Sequence, residues 1–112
     1  MDKITAYRSY LQQLIEGYAA YRGAPDDVER EIIVDPVHDH YQVVNVGWRG
    51  EHRIYGVVMH FDLTPQGKIW IQQNSTELNL AEQLLEFGVA RDDIVLGFQS
   101  PYKRPLTGFA TA

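Results

Sequence analysis

The sequence predicts an α+β fold: an antiparallel β-meander of about four strands, packed with a long N-terminal helix and a second helix near the C-terminal third, plus a short extra strand. Three observations predict this class. Apolar residues recur at helical spacing at the start of the chain, strand-like alternation begins at Val28, and a helix pattern runs from Asn79 to Gly88. Because 112 residues are the size of one domain, we expect residues 1–112 to fold as a single unit.

The first element is a helix over residues 4–22. Its apolar residues follow the three- and four-residue spacing of one helical face; they are Ile4, Tyr7, Leu11, Leu14, Ile15, Tyr18 and Tyr21. Asp2 is placed to cap the first turn, and Gly23 with Pro25 should end the helix. We expect this apolar face to cover one side of the sheet.

Three strands follow the helix. The stretch "EREIIVD", closed by Pro36, is typical of an edge strand with a charged rim. In "WRGEHR", Gly50 is the first central residue of a two-residue hairpin turn, as a type II′ turn requires. This turn predicts the cross-strand pairs Arg49–His52, Trp48–Arg53, Val46–Tyr55, Val44–Val57, Gln42–Met59 and His40–Phe61. One face of the hairpin is then a predicted core made of Val44, Val46, Trp48, Tyr55, Val57, Met59 and Phe61.

The second half of the chain adds one more strand of the meander, a helix and a short strand. A four-residue turn at "TPQG" predicts that Trp70 pairs with Phe61 and Ile71 with His60. In "NSTELNLAEQLLEFGV", Asn79 and Glu82 form a capping box, Gly88 ends the helix, and the apolar stripe is Leu80, Ala81, Leu84 and Leu85. We expect this helix to cover part of the sheet face opposite the first helix. "IVLGF" is then a short buried strand, and an irregular segment follows it.

Charge and composition exclude several classes of protein. A net charge of −5 disfavours general attraction to phosphate backbones, which leaves direct DNA binding open but not favoured. If DNA is contacted, the candidate residues are Arg49, His52, Arg53, Lys103 and Arg104. There is no cysteine for a disulfide or thiolate site, no apolar stretch near the roughly 18 residues of a membrane span, and no signal-peptide pattern. We therefore expect a cytoplasmic protein that does not enter the membrane.

One group of residues suggests chemistry. In the predicted register Asp39, His60 and Asp62 share a face, and one imidazole with two carboxylates suits a small metal-dependent hydrolase or nuclease. The favoured alternative is a half-buried structural histidine that bonds to Tyr41 or Asp62. Phosphate-binding glycine loops, nucleophile elbows and zinc-ligand spacings are missing from the sequence. We therefore predict no catalytic residue, no bound metal and no cofactor.

Four stretches carry a family resemblance: "VGWRG", "RIYGVVMHFDL", "GKIWIQQNSTE" and "DDIVLGFQSPYKRPLTGFATA". Together they resemble the fdxN-element excision controlling factor family of XisI type, which is known chiefly from filamentous cyanobacteria. The similarity spans nearly the whole chain, and "GKIWIQ" and "DDIVLGF" are its most distinctive parts. The chain departs from the pattern at "QNSTE", where an Asp-Gly is expected before Thr76, and at Ala90, where a proline is common.

The resemblance implies a biological role rather than an active site. It implies participation, beside a companion factor of XisH type, in the developmentally controlled excision of a DNA element by a separate recombinase, a process of heterocyst formation. We therefore expect a noncatalytic regulatory protein that acts through protein contacts. Apolar residues on both faces of the hairpin further favour a homo-oligomer or a contact with the companion.

Overall fold

The computed structural model describes residues 2–20 and 27–112. Its elements in chain order are α1 (Lys3–Ala20), β1 (Val28–Asp35), β2 (His40–Arg49), β3 (His52–Leu63), β4 (Ile69–Asn74), α2 (Leu80–Phe87) and β5 (Ile94–Leu96), with single 3-10 turns at Arg91–Asp93 and Arg104–Leu106. The five strands lie side by side in the order β1-β2-β3-β4-β5. Neighbours among the first four are antiparallel, and β5 is parallel to β4. The predicted α+β fold is confirmed.

Helix α1 begins as predicted. A carboxylate oxygen of Asp2 accepts a hydrogen bond from the backbone N–H of Thr5 at 2.8 Å, which satisfies one of the free N–H groups of the first turn. The buried residues of the helix are Tyr7, Leu11, Leu14 and Ile15, all on the predicted apolar face. The predicted helix end at Gly23 and Pro25, and the apolar position Tyr21, lie outside the described residues.

Helix α2 has the predicted ends. The side chain of Asn79 accepts a hydrogen bond from the backbone N–H of Glu82 at 3.1 Å. Gly88 follows the last turn at φ 110°, a backbone conformation that costs little only for glycine. Within the described ranges, 2–20 and 27–112, no helix is both long and apolar enough to cross a membrane.

A β-bulge in β3 changes the predicted register of the hairpin. The four predicted pairs from Arg49–His52 to Val44–Val57 are confirmed, but the register shifts between Val43 and Val44. Val43 pairs with Met59, so Val58 is an extra residue of β3 without a direct partner on β2. The predicted pairs Gln42–Met59 and His40–Phe61 are therefore wrong. The observed pairs are Gln42–His60, Tyr41–Phe61 and His40–Asp62.

The bulge divides the predicted core face into two, because a slip of one residue moves the following side chains to the opposite side of a sheet. Met59 and Phe61 are completely buried beneath the helices, together with Tyr41 and Val43. The other five residues of the predicted core lie on the sheet face away from the helices, which we call the outer face. We call this group the aromatic patch; it consists of Val44, Val46, Trp48, Tyr55 and Val57.

Both helices cover the same face of the sheet. The rings of Tyr10 from α1 and Phe87 from α2 stack with centroids 5.1 Å apart, and Leu11 and Leu84 belong to one buried cluster. The prediction that α2 covers part of the opposite face is therefore wrong. The reason is the bulge, which turns Met59 and Phe61 to the face where they join Ile69 and Ile71 of β4 in one continuous core.

The C-terminal segment packs on the outer face over β4 and β5. The guanidinium of Arg104 lies 4.9 Å from the ring centroid of Trp70, and Ala110 forms a bridge with Val95.

Leu63 pairs with Ile69, so the turn before β4 is one residue longer than predicted. Phe61 accordingly pairs with Ile71 and Asp62 with Trp70, and both predicted pairs of this turn are wrong. A second register shift, between His60 and Phe61, leaves Gln72 without a direct partner and places Gln73 opposite His60.

Candidate functional site

Three polar side chains meet on the outer face: His40, His60 and Asp62. Residues two apart on a strand point to the same side, which brings His60 beside Asp62 on β3, and His40 is the direct partner of Asp62 on β2. One carboxylate oxygen of Asp62, Oδ1, accepts from His40 Nδ1 at 2.6 Å and from His60 Nε2 at 2.8 Å. In the part of the chain that the structure describes, this is the one group of three metal-ligating side chains whose ligand atoms lie within 4.8 Å of one another.

Two glutamines complete the hydrogen bonding of this group. The amide Nε2 of Gln72 donates to the second carboxylate oxygen of Asp62 at 3.0 Å. The side-chain amide of Gln42 lies 3.2 Å from Nδ1 of His60, so the free side of that ring is also bonded. Each ring nitrogen of His60 and each oxygen of Asp62 therefore has a partner, which holds these side chains in fixed orientations.

The group lies in an open cleft of about 280 Å³ between β1 and β3. The side chain of His40 is 52% exposed and that of Asp62 is 23% exposed, so solvent reaches both. The hydrogen bond with Asp62 raises the pKa of His40. Burial acts to raise the pKa of Asp62, but the hydrogen bonds from His40, His60 and Gln72 outweigh it and hold this pKa below its usual value.

Asp39 does not join this group, so the predicted cluster of Asp39, His60 and Asp62 is wrong. The shifted register places His40, rather than Asp39, opposite Asp62. Asp39 lies in the turn before β2 at φ 58°, and its carboxylate meets Arg8 of α1 on the helix side of the sheet. Its two oxygens accept from Nε and Nη2 of Arg8 at 2.9 and 3.0 Å, and Oδ1 also accepts from the hydroxyl of Tyr41 at 2.9 Å.

A second buried carboxylate connects α1 to the C-terminal part of the chain. The hydroxyl of Tyr7 donates to Oδ2 of Asp93 at 2.7 Å, and Nζ of Lys3 lies 3.3 Å from the same oxygen. Burial and the hydrogen bond to Asp93 raise the pKa of Tyr7 to about 12, so the hydroxyl stays protonated. Like the contact between Arg8 and Asp39, this contact anchors the helix, and it lies away from the cleft on the outer face.

The candidate DNA contacts do not form one surface. Arg49, His52 and Arg53 lie at the tip of the hairpin, whereas Lys103 and Arg104 lie on the C-terminal segment beside Trp70. Trp70 pairs with Asp62, which is far along β3 from Arg53; at 3.3 Å per residue the separation is roughly 25 to 30 Å. Arg53 itself lies over the rings of Trp48 and Tyr55, at 5.2 and 5.6 Å from their centroids.

The aromatic patch exposes two large side chains on the outer face. Trp48 is 50% exposed and Tyr55 is 71% exposed, while Val44 of β2, in the same patch, is buried. Glu29 and Glu31 of β1 pair with Val46 and Val44, so they form an acidic rim along one side. The prediction that these five residues belong to the core is wrong because of the bulge, which the sequence pattern does not reveal.

Comparisons with known proteins give consistent relatives. The family model of the XisI protein matches residues 1–111. The crystal structure of a XisI-like protein from Anabaena variabilis ATCC 29413 is 47% identical, with a TM-score of 0.90, and the match covers 97% of this chain and 99% of that chain. The fdxN element excision controlling factor XisI from the same organism is 38% identical, with a TM-score of 0.84, over 99% and 100% of the two chains. No curated protein matches this chain.

Proposed function

This chain belongs to the XisI protein family, and from that premise we propose that it is a noncatalytic accessory factor that controls site-specific excision of a DNA element. In this proposal it acts in the cytoplasm by binding an XisH-type companion, and a separate recombinase cuts and joins the DNA. The relative that is 38% identical bears the name of an excision controlling factor, which supports the role.

The observation that carries the proposal is the uncovered aromatic patch. Both helices pack on the other side of the sheet, so Trp48 and Tyr55 remain exposed beside three valines. Tryptophan, tyrosine and arginine supply most of the binding energy at protein interfaces, and Arg53 lies over both rings. Large exposed apolar side chains such as Trp48 and Tyr55, side by side on a sheet, are typical of a protein-binding site.

We propose that the XisH-type companion occupies the patch. The acidic rim of Glu29 and Glu31 favours a partner whose apolar centre is bordered by lysine or arginine. A second copy of this chain is the competing occupant, because a homo-oligomer would cover the same residues. The two occupants differ in the mass of the complex, which makes them separable by experiment.

The hydrolase alternative loses support from the position of Asp39. That carboxylate is bonded to Arg8 and Tyr41 on the helix side of the sheet, so it cannot act together with His60. The remaining carboxylate, Asp62, is shared between two imidazoles and an amide. The three residues of the predicted metal-dependent hydrolase therefore do not come together, which favours the proposal of a protein that works by binding.

Light scattering coupled to gel filtration tests the proposal, on the pure chain alone and mixed with the XisH-type companion from the same source. We expect a complex of both chains, and we expect Trp48→Ala and Tyr55→Ala each to weaken it at least tenfold. The matched control is Tyr102→Ala, because Tyr102 is a tyrosine 89% exposed outside the patch. A monomer that ignores the companion refutes the proposal, and a dimer of this chain that excludes the companion assigns the patch to self-association instead.

A further inference from the structure

We propose that His40, His60 and Asp62 form a binding site for one divalent transition-metal ion of the zinc class on the outer face of the sheet. The proposal concerns metal binding and is independent of the companion, since the aromatic patch lies nearer the hairpin tip. It rests on the position of three donor atoms, on their hydrogen-bonded neighbours, and on access from solvent.

The donor atoms need only a small movement to surround a metal ion. Around a tetrahedral Zn²⁺, with bonds of about 2.0 to 2.2 Å, donor atoms are roughly 3.3 Å apart. His40 Nδ1 and His60 Nε2 now lie 2.6 and 2.8 Å from Oδ1 of Asp62. Each nitrogen must therefore move away from the oxygen by roughly 0.5 to 0.7 Å, which rotation of the side chains provides. All three residues lie in paired strands, which hold their backbones in place around the three donor atoms.

Protons must be redistributed when the metal binds, and the site allows this. Each coordinating nitrogen now donates a hydrogen bond to Asp62, whereas a metal ligand must present a lone pair. In the neutral imidazole the proton moves to the other nitrogen, which is Nδ1 in His60. Gln42 is already within hydrogen-bond distance of that atom, and turning its amide over presents an oxygen that accepts the N–H. The hydrogen bond from Gln72 continues to orient the carboxylate of Asp62.

The donor set selects the class of ion. Two imidazole nitrogens and one carboxylate oxygen suit Zn²⁺, Co²⁺ and Ni²⁺, whereas Mg²⁺ and Ca²⁺ prefer oxygen ligands. Three protein ligands leave a fourth tetrahedral position open. The cleft of about 280 Å³ and the half-exposed ring of His40 give water or another protein's side chain access to that position.

Calorimetric titration of the untagged full chain with ZnCl₂ tests the proposal. We expect one ion per chain, no heat of binding with MgCl₂, and an affinity for Zn²⁺ that falls at least tenfold in His40→Ala and in His60→Ala. His52→Ala is the matched control, because His52 is an exposed histidine of the same hairpin that lies at its far end. It should bind Zn²⁺ as the unchanged chain does.

Two results overturn the proposal. The first is no binding of Zn²⁺ at micromolar protein concentration, which leaves the three side chains as a hydrogen-bonded cluster only. The second is an unchanged Zn²⁺ affinity in both folded histidine variants, which places the ion elsewhere. Because His40 is half exposed, its replacement should not unfold the chain, and circular dichroism of His40→Ala verifies this.

Discussion

Removal of one hydroxyl from α1 tests how the helix is anchored. In Tyr7→Phe the ring stays in the core, but Asp93 loses its hydrogen bond of 2.7 Å and the N–H of Ala90 loses an acceptor at 3.3 Å. A hydrogen bond to a charged group contributes about 1.5 to 3 kcal/mol. Asp93 keeps Lys3 at 3.3 Å, and Ala90 is exposed to water, so we expect the free energy of unfolding to fall by about 2 kcal/mol.

The expected change in melting temperature follows from the length of the chain. An entropy of unfolding of about 2.1 cal/mol/K per residue gives roughly 235 cal/mol/K, so a loss of about 2 kcal/mol lowers Tm by about 8 °C. Calorimetry of the two proteins at pH 7 measures this. Tyr10→Phe is the control: it lies on the same helix, and its hydroxyl makes no hydrogen bond within the described part of the chain. A Tm for Tyr7→Phe within 2 °C of the control would refute the anchoring role of Asp93.

Two further predictions concern the sheet and its first turn. Phe61→Ala empties a completely buried position, so it should lower the free energy of unfolding in urea by about 3 to 5 kcal/mol. Tyr55→Ala changes a residue that is 71% exposed, so it should lower that free energy by less than about 1 kcal/mol. Equal losses in the two variants would contradict the bulge. The hydrogen bond from Arg8 holds the pKa of Asp39 in the folded protein below its ordinary value of 3.8. The stability that the ionised carboxylate contributes is therefore fully present above pH 3.8, and it is lost as the pH falls through the pKa of the folded protein. Asp39→Asn should therefore have a lower Tm than the unchanged chain at pH 7, and the two Tm values should approach each other near pH 2. A Tm difference that stays constant between those pH values in thermal unfolding would argue against the pairing with Arg8.

The parts of the fold that local chemistry specifies could be predicted from the sequence. Three features each depend on only four or five consecutive residues, so the local sequence is enough to reveal them: the cap at Asn79, the left-handed conformation of Gly88 and the turn at Gly50. The amphipathic pattern of α1 is similarly local. These elements are all confirmed.

The bulge could not be predicted, because its residues are alike. Val57 and Val58 are both apolar and β-branched, so either suits a buried or a half-buried face, and the alternation of side chains gives no sign that one residue is extra. The predicted candidate site is wrong for the same reason, because a register shift of one residue places His40, rather than Asp39, opposite Asp62. The side of the sheet that α2 covers also depends on this slip, since it decides where the large apolar side chains collect.

The contact between Tyr7 and Asp93 joins residues 86 positions apart, which has a consequence for synthesis on the ribosome. At roughly 5 to 20 residues per second, about 4 to 17 s pass between the addition of these two residues to the growing chain. During that interval the hydroxyl of Tyr7 has no Asp93 carboxylate to accept its hydrogen bond. The apolar side of α1 then has only part of the sheet to pack against. Nascent chains that stop before Asp93 should therefore be the forms that chaperones and proteases recognise.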